Sequence, residues 1–492
     1  MIHRFPNLSS IGLYAGILLC ILILLLPPPE GLNIVAWRTA AIAVLMAVWW
    51  ITEAIPISAT ALLPIVLFPL FGIAPIGSTT APYANPLIFL FMGGFIIAIA
   101  MQTWNLHKRI ALSIVSFVGV KPSSIIIGFI IASAFLSMWV SNTATALMML
   151  PIAISVLQIV NKESDNLTKP VTNFEIVLVL AIAYACNIGG IATLIGTPPN
   201  ALMAAFMLEN YNVEIGFAEW MLVGVPLVLI FLPIMYLLLA RVIYPVKIKE
   251  LPGGHSVITS QLSSMGNITK PEFRVALVFG GTALLWIIRP LLTEYVPGLS
   301  DAGIAVTAGV ILFLIPTGLK KGGKILMWKD LKDLPWGILI LFGGGLSLAM
   351  AITSSGLATY IGEAVSGLNA LPLALLILLV ISIIVFLTEI TSNTATAAAF
   401  LPILASTAIG IGQDPMLFVI PAAIAASCAF MLPVATPPNA IIYGSGKVSI
   451  PQMAKAGVSL NIIVSILLTL ASYTLFAYVF GIEPGIIPDW AN

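Results

Sequence analysis

The feature that most limits what this chain can become is a succession of apolar runs, each about as long as a bilayer is thick. Crossing a hydrocarbon core takes about 20 helical residues. Runs of that order recur at 10–26, 35–55, 59–73, 86–102, 174–195, 218–243, 273–292, 301–317, 335–353, 416–434 and 456–480, eleven in all. Lipid offers no partner to an exposed amide, so each span must satisfy its own backbone, as a helix does within one segment. The expected fold class is an all-α polytopic membrane protein. Composition agrees, with 60% hydrophobic and only 8% charged residues, where a soluble domain carries about 25% charged. A net charge of +1 leaves no basic face for nucleic acid. Cys20, Cys186 and Cys428 lie inside apolar runs and read as small buried hydrophobes, not as a disulfide framework. The first run follows His3 and Arg4 but ends in Pro27-Pro28-Pro29 without a small-residue cleavage pattern, so it reads as a retained helix.

Two further stretches, 122–160 and 371–409, are too long for one crossing and carry a polar Ser-Asn-Thr in the middle. Each could be two spans; re-entrant hairpins that enter and return on one side are the reading adopted. With the N-terminus cytoplasmic, every Lys and Arg falls on the cytoplasmic side except Arg38 and Arg289, both near outer helix ends. Two full crossings per stretch would place the charges identically, so charge sets the orientation and not the depth of the hairpins. The segments 162–173 and 244–270 read as cytoplasmic linkers. The basic segment 320–332, with Leu326, Met327 and Trp328, reads either as a helix lying on the membrane or as a solvated loop.

Self-similarity is the strongest signal in the chain. Ser141-Asn142-Thr143-Ala144-Thr145-Ala146 recurs unchanged at Ser392-Asn393-Thr394-Ala395-Thr396-Ala397, followed by Leu150-Pro151 and Leu401-Pro402. Thr197-Pro198-Pro199-Asn200-Ala201 recurs as Thr436-Pro437-Pro438-Asn439-Ala440, and Phe91-Met92-Gly93-Gly94 is answered by Phe342-Gly343-Gly344-Gly345. Five crossings, an odd number, separate the two Ser-Asn-Thr blocks, so the halves are expected to be inverted copies with broken helices at the midplane. The organisation expected is a first helix over 1–33, one repeat over 34–243, a cytoplasmic linker over 244–272 and a second repeat over 273–492.

A break in mid-membrane survives where it lines a cavity or holds a ligand. Ser-Asn-Thr supplies hydroxyl and amide groups, frees carbonyls that suit a hard cation, and exposes helix N-termini that attract anions. The first proline of Thr-Pro-Pro-Asn removes an N–H and frees the carbonyls of Gly196 and Ala435, while the next helix starts on proline, where it is tolerated. No Lys, Arg or His lies in the four motifs. An anion held there needs neutral donors, helix ends and bound cations, which favours ion coupling. A single Ser-Asn-Thr could be interhelical glue and a single Thr-Pro-Pro-Asn a simple kink; two matched copies of each favour a ligand site. Glu53, in Thr52-Glu53-Ala54-Ile55-Pro56, is expected to be interfacial or structural. Glu389 precedes the second tip inside the membrane, where it could partner a proton or cation or orient the hairpin. No acid stands at the matching place in Met138-Trp139-Val140, which favours a structural role.

With these motifs, from Trp49-Trp50-Ile51-Thr52-Glu53-Ala54-Ile55-Pro56 onward, the chain resembles the divalent anion/sodium symporter family. The resemblance implies sodium-coupled symport of C4-dicarboxylates such as succinate, fumarate or malate across the bacterial inner membrane. It also implies a homodimer in lipid, in which a scaffold holds still while a transport part slides as an elevator. Two or more Na⁺ are implied, one at Ser137, Ser141, Asn142 and the Gly196 carbonyl, another at Thr388, Thr391, Ser392, Asn393 and the Ala435 carbonyl, Thr391 serving through its backbone. Substrate carboxylates would meet Asn142, Thr143, Asn393 and Thr394, with Thr197, Thr436 and Pro437 nearby. A sodium-independent dicarboxylate exchanger and a citrate or sulfate carrier share these motifs. An enzyme would need an intramembrane His-Glu or Asp pair, which the sequence lacks, and a channel would need a pore lined by rings of charge or carbonyls.

Overall fold

A computed structural model describes residues 6–119, 121–163, 169–248, 254–320, 322–365 and 371–491. Arg4, Lys249 and Lys321, and the linker residues 164–168 and 249–253, lie outside the described residues. Apart from an isolated bridge between Pro316 and Lys324, regular structure among the described residues is helical, and eight helices are long and apolar enough to cross a membrane.

Several expected spans are shorter than their apolar runs, for local reasons. The run 59–73 divides into Ile57–Thr60 and Leu63–Leu70, with Pro64 opening the second piece. The run 301–317 gives Asp301–Leu314, ending ahead of Pro316, because the residue before a proline is pushed out of the helical region. The run 416–434 is helical only over Met416–Ala426, and the run 174–195 stops at Gly190. Among the described residues of 320–332 there is no long helix; a short 3-10 turn, Trp328–Asp333, buries Leu331 and leaves Trp328 exposed.

The two halves repeat element by element. In the first, Pro86–Thr103 is followed by the short helix Leu106–Val118, the hairpin arms Pro122–Ser137 and Asn142–Glu163, then Lys169–Gly190, an unwound stretch, Pro198–Tyr211 and Phe217–Leu237. In the second, Trp336–Ser354 is followed by Leu357–Val365, the arms Leu373–Leu387 and Asn393–Gly410, then Met416–Ala426, an unwound stretch, Pro437–Gly444 and Ile450–Ala471. The last helix of each half runs into a π turn, Leu238–Ile243 and Ser472–Phe476. Such turns are rare, so their matched placement marks duplication as firmly as the sequence blocks do. Each hairpin proline is also treated alike: Ser155 Oγ donates to the Pro151 carbonyl at 2.9 Å and Ser406 Oγ to the Pro402 carbonyl at 2.8 Å.

Glycines in the matched Phe-led blocks allow helices to touch backbone to backbone. A Cβ on Gly93 would lie 2.5 Å from the Ala305 carbonyl carbon, and one on Gly344 would lie 2.3 Å from the Ala61 carbonyl oxygen. The helix Lys169–Gly190 is the centre of the molecule, with 94% of its membrane-length window buried, whereas Lys270–Leu292 has 17% and presents its flank outward. The two arginines that break the charge rule are both neutralised or capped. Arg289 pairs with Glu214 and, at 2.9 Å, with Asp301, and Arg38 donates to the Phe71 carbonyl at the end of Leu63–Leu70. Glu53 takes a left-handed conformation that closes the helix Ile34–Thr52, and its carbonyl accepts from Ser9 Oγ.

Candidate functional site

Both hairpin tips are built the same way. The hydroxyl that ends the first arm bonds the asparagine that opens the second: Ser137 Oγ donates to Asn142 Oδ1 at 2.6 Å, and Thr388 Oγ1 to Asn393 Oδ1 at 2.7 Å. Ser137 and Thr388 are fully buried, so each asparagine is held in one rotamer with lone pairs left on both oxygens. Asn142 and Asn393 also start helices. Ser392 makes no side-chain cap, while Ser141 Oγ accepts from the Ala144 amide at 3.3 Å. First-turn N–H groups at the tips therefore remain available to an anion. Thr391 Oγ1 donates to the Leu387 carbonyl at 2.9 Å and lies 2.6 Å from Thr396 Oγ1. Its side chain is spent closing the hairpin, which leaves its carbonyl for a ligand.

The unwound stretches are stapled by the asparagines of Thr-Pro-Pro-Asn, a role the sequence did not reveal. Asn200 Nδ2 donates to the carbonyls of Gly190 at 3.2 Å, Ile191 at 3.3 Å and Thr193 at 2.9 Å. Asn439 Nδ2 donates to those of Ala429 at 3.2 Å and Leu432 at 3.1 Å. The oxygens Asn200 Oδ1 and Asn439 Oδ1 are both buried without a hydrogen-bond partner, matched acceptors open to a cation or a water. Because each of these helices begins Pro-Pro, its first two residues offer no N–H, and the ends contribute dipole and freed carbonyls rather than donors.

Tip and break converge in each half. A Cβ on Gly190 would meet Asn142 Oδ1 and the Gly196 carbonyl oxygen, each at 3.0 Å. Two of the oxygens expected at the first cation site thus face one spot, which a methyl group would fill. Thr193 Oγ1 ties this break to the tip by donating to the Met138 carbonyl at 2.6 Å. In the second half the corresponding tie is Glu389. Its carboxylate accepts from the amides of Phe430 at 2.7 Å, Met431 at 2.9 Å and Leu432 at 3.0 Å, and from Asn461 Nδ2 at 2.8 Å. Thr388 Oγ1 also lies 2.9 Å from the Ala426 carbonyl, so its single proton is shared between that oxygen and Asn393 Oδ1. Both ties place the acceptor on the tip, the Met138 backbone carbonyl in one half and the Glu389 side-chain carboxylate in the other.

The halves then join at the centre. Thr197 Oγ1 lies 3.2 Å from Ser427 Oγ, and Asn187 Nδ2 donates to Thr436 Oγ1 at 3.2 Å and to the Ala429 carbonyl at 3.1 Å. A continuous path therefore runs from Asn142 past Gly196 to Thr197, across to Ser427, and through Ala426 and Thr388 to Asn393. Of the residues expected at the site, Gly196, Ala435, Thr197, Thr436 and Thr394 are buried; Thr143, Ser392 and both tip asparagines are half-buried, and Ser141 and Pro437 are exposed. Asn187, Thr193, Ser427 and Asn461, and the particular roles of Asn200 and Asn439 within their motifs, were not singled out from the sequence, because their partners, backbone carbonyls at the tips and breaks and side chains far along the chain, carry no local signal.

The profile of the sodium:sulfate symporter transmembrane region matches residues 8–482. The sodium-dependent dicarboxylate transporter SdcS of Staphylococcus aureus strain MRSA252 is 46% identical over 489 residues, covering 97% of this chain and 93% of that one. The same transporter of strain USA300 is 46% identical, covering 96% and 92%. Among solved structures, the Alcanivorax borkumensis YdaH transporter aligns with a TM-score of 0.58 at 14% identity, covering 89% of this chain and 98% of its own. MtrF of Neisseria gonorrhoeae aligns with a TM-score of 0.54 at 13% identity, covering 95% and 97%. At those identities the likeness is one of fold.

Proposed function

The chain belongs to the sodium:sulfate symporter family, and within it we propose that this protein is a sodium-coupled symporter of C4-dicarboxylates in the bacterial inner membrane. The observation that carries the reading is the pair of hydroxyl–asparagine tips, each facing an unwound, proline-started break, in a region whose motifs lack any basic side chain. Dicarboxylate as substrate follows the name of relatives 46% identical over nearly the whole chain. One Na⁺ is assigned to Ser137, Ser141, Asn142 and the Gly196 carbonyl, and another to Thr388, Thr391, Ser392, Asn393 and the Ala435 carbonyl. The carboxylates then meet Asn142, Thr143, Asn393 and Thr394, with Thr197, Thr436 and Pro437 beside them. With no lysine or arginine in the pocket, the cations supply the positive charge, so substrate and sodium are bound together or not at all.

The topology in this proposal has a cytoplasmic N-terminus, eleven spans, inverted halves and two re-entrant hairpins. The polar break between the arms supports the hairpins: Ser141-Asn142 and Ser392-Asn393 stand between helices of 16 and 22 residues and of 15 and 18 residues, where unwound backbone facing lipid would lack partners. Contacts between loops support the sidedness. Arg109 with Glu272, Trp104 with Ile325 and Tyr244 with Gln452 join segments assigned to the cytoplasm. Asn33 with Ser355, Asn85 with Glu209 and Gly485 with Gln413 join segments assigned outside. A homodimer whose transport part slides against a fixed scaffold completes the proposal.

The test is uptake of labelled succinate by proteoliposomes under an inward gradient of Na⁺ or K⁺. Uptake with Na⁺ that falls to background with K⁺ is the expected result. Equal uptake with either cation, stimulated instead by internal dicarboxylate, would replace symport by exchange.

A further inference from the structure

We infer that Asn187 is a positioning residue that fixes the Thr436 hydroxyl as a hydrogen-bond donor toward the substrate carboxylate. The inference rests on the reading of Thr436 as a substrate contact. Asn187 ends its turn of the central helix one turn before Gly190 and is 1% exposed. Its amide orientation is set without ambiguity, because the Ala429 carbonyl, 3.1 Å from Nδ2, can only accept. The second hydrogen of the same Nδ2 goes to Thr436 Oγ1 at 3.2 Å, and the Asn439 amide donates to that oxygen at 3.3 Å.

A threonine hydroxyl has two lone pairs and one proton. At Thr436 both lone pairs are engaged by donors, so the proton is all the group has left to offer. A carboxylate oxygen can take that proton, whereas a ligand that approaches with its own donor finds no acceptor and leaves buried polar groups unpaired. The matched hydroxyl in the other half is not constrained in this way. Thr197 makes no side-chain cap and faces Ser427 Oγ, a group able to donate or accept. No counterpart of Asn187 exists there, since the equivalent position before the second break is Ala426. The pocket is thus asymmetric despite its duplicated frame: one threonine is committed to donation and the other is free to turn.

The experiment is a pair of double-mutant cycles on succinate uptake by proteoliposomes at saturating Na⁺, reading KM and kcat separately. Thr436→Val and Asn187→Ala are each expected to raise the succinate KM by about tenfold, the effect of one hydrogen bond to a charged group, with a smaller change in kcat. Because Asn187 acts through the Thr436 hydroxyl, the Asn187→Ala/Thr436→Val double variant is expected to be no worse than the worse single variant within about twofold. With Thr197→Val, by contrast, the effects of Asn187→Ala are expected to multiply. Should Asn187→Ala fail to fold, Asn187→Ser, whose hydroxyl is too short to span to Thr436, carries the same cycles. A KM within twofold of the unaltered protein for the Asn187 variant, or multiplying effects at Thr436, would overturn the inference. If Thr436→Val leaves KM unchanged while sodium-driven uptake persists, the assignment of Thr436 as a substrate contact falls and the symport reading stands.

Discussion

Replacing Asn142 or Asn393 with alanine is expected to lower sodium-dependent succinate uptake by about a hundredfold or more while leaving the protein folded. In the proposed site each asparagine supplies an amide oxygen to a cation and an amide hydrogen to a carboxylate, and bonds to charged partners contribute about 1.5–3 kcal/mol apiece. Losing two such bonds accounts for the size of the effect, with each tenfold step equal to about 1.4 kcal/mol. Both asparagines are only half-buried and stand at helix starts, so truncation removes little packing. Gly190→Ala makes a sharper companion test, since it keeps every polar group and adds one methyl 3.0 Å from both Asn142 Oδ1 and the Gly196 carbonyl oxygen. It is expected to raise the half-saturating Na⁺ concentration by about tenfold or to abolish uptake. Size-exclusion profiles and uptake rates on the same preparations check all three, and near-normal uptake by both asparagine variants would remove the site.

Glu389→Ala is expected to prevent accumulation of folded protein, whereas Glu389→Gln folds with a lowered melting temperature. The alanine leaves the amides of Phe430, Met431 and Leu432 and the Asn461 side chain without their acceptor. Each buried group left unpaired costs about 1–3 kcal/mol, and together they approach the whole stability of an ordinary domain, about 5–15 kcal/mol. Glutamine keeps one oxygen, able to serve where Oε1 now takes three donors, and sets an amide against the Leu432 N–H. Yield and thermal melting of the detergent-solubilised variants measure both outcomes. An alanine variant that melts within a few degrees of the unaltered protein would mean that the carboxylate does not hold the break.

Much of the site was legible because it occurs twice. A lone Ser-Asn-Thr or proline pair is ambiguous, but Asn142 with Thr197 and Asn393 with Thr436, in the same order, isolate a tip and a break in each half. The lack of an acid at Met138 points to a structural role for Glu389, but it does not reveal that Thr193 ties the tip to the break in the other half. That tie, the Asn200 and Asn439 staples and the Asn187 bridge depend on backbone carbonyls exposed only once the helices unwind. No residue type at those carbonyls carries a signal. The helices Leu106–Val118 and Leu357–Val365 escaped notice for another reason. At 13 and 9 residues they are too short for a spanning window, and only one face of each is apolar, as Leu106, Leu112 and Val115 mark in the first.

Heat of succinate binding to the purified protein, measured in Na⁺ and again in K⁺ at equal ionic strength, bears most directly on whether cations stand in for the missing basic side chains. Binding in Na⁺ that vanishes in K⁺, with an apparent affinity that climbs as Na⁺ is raised, is the predicted result. Succinate bound equally well in K⁺ would mean that the pocket holds a dianion by protein groups alone, and would contradict the account.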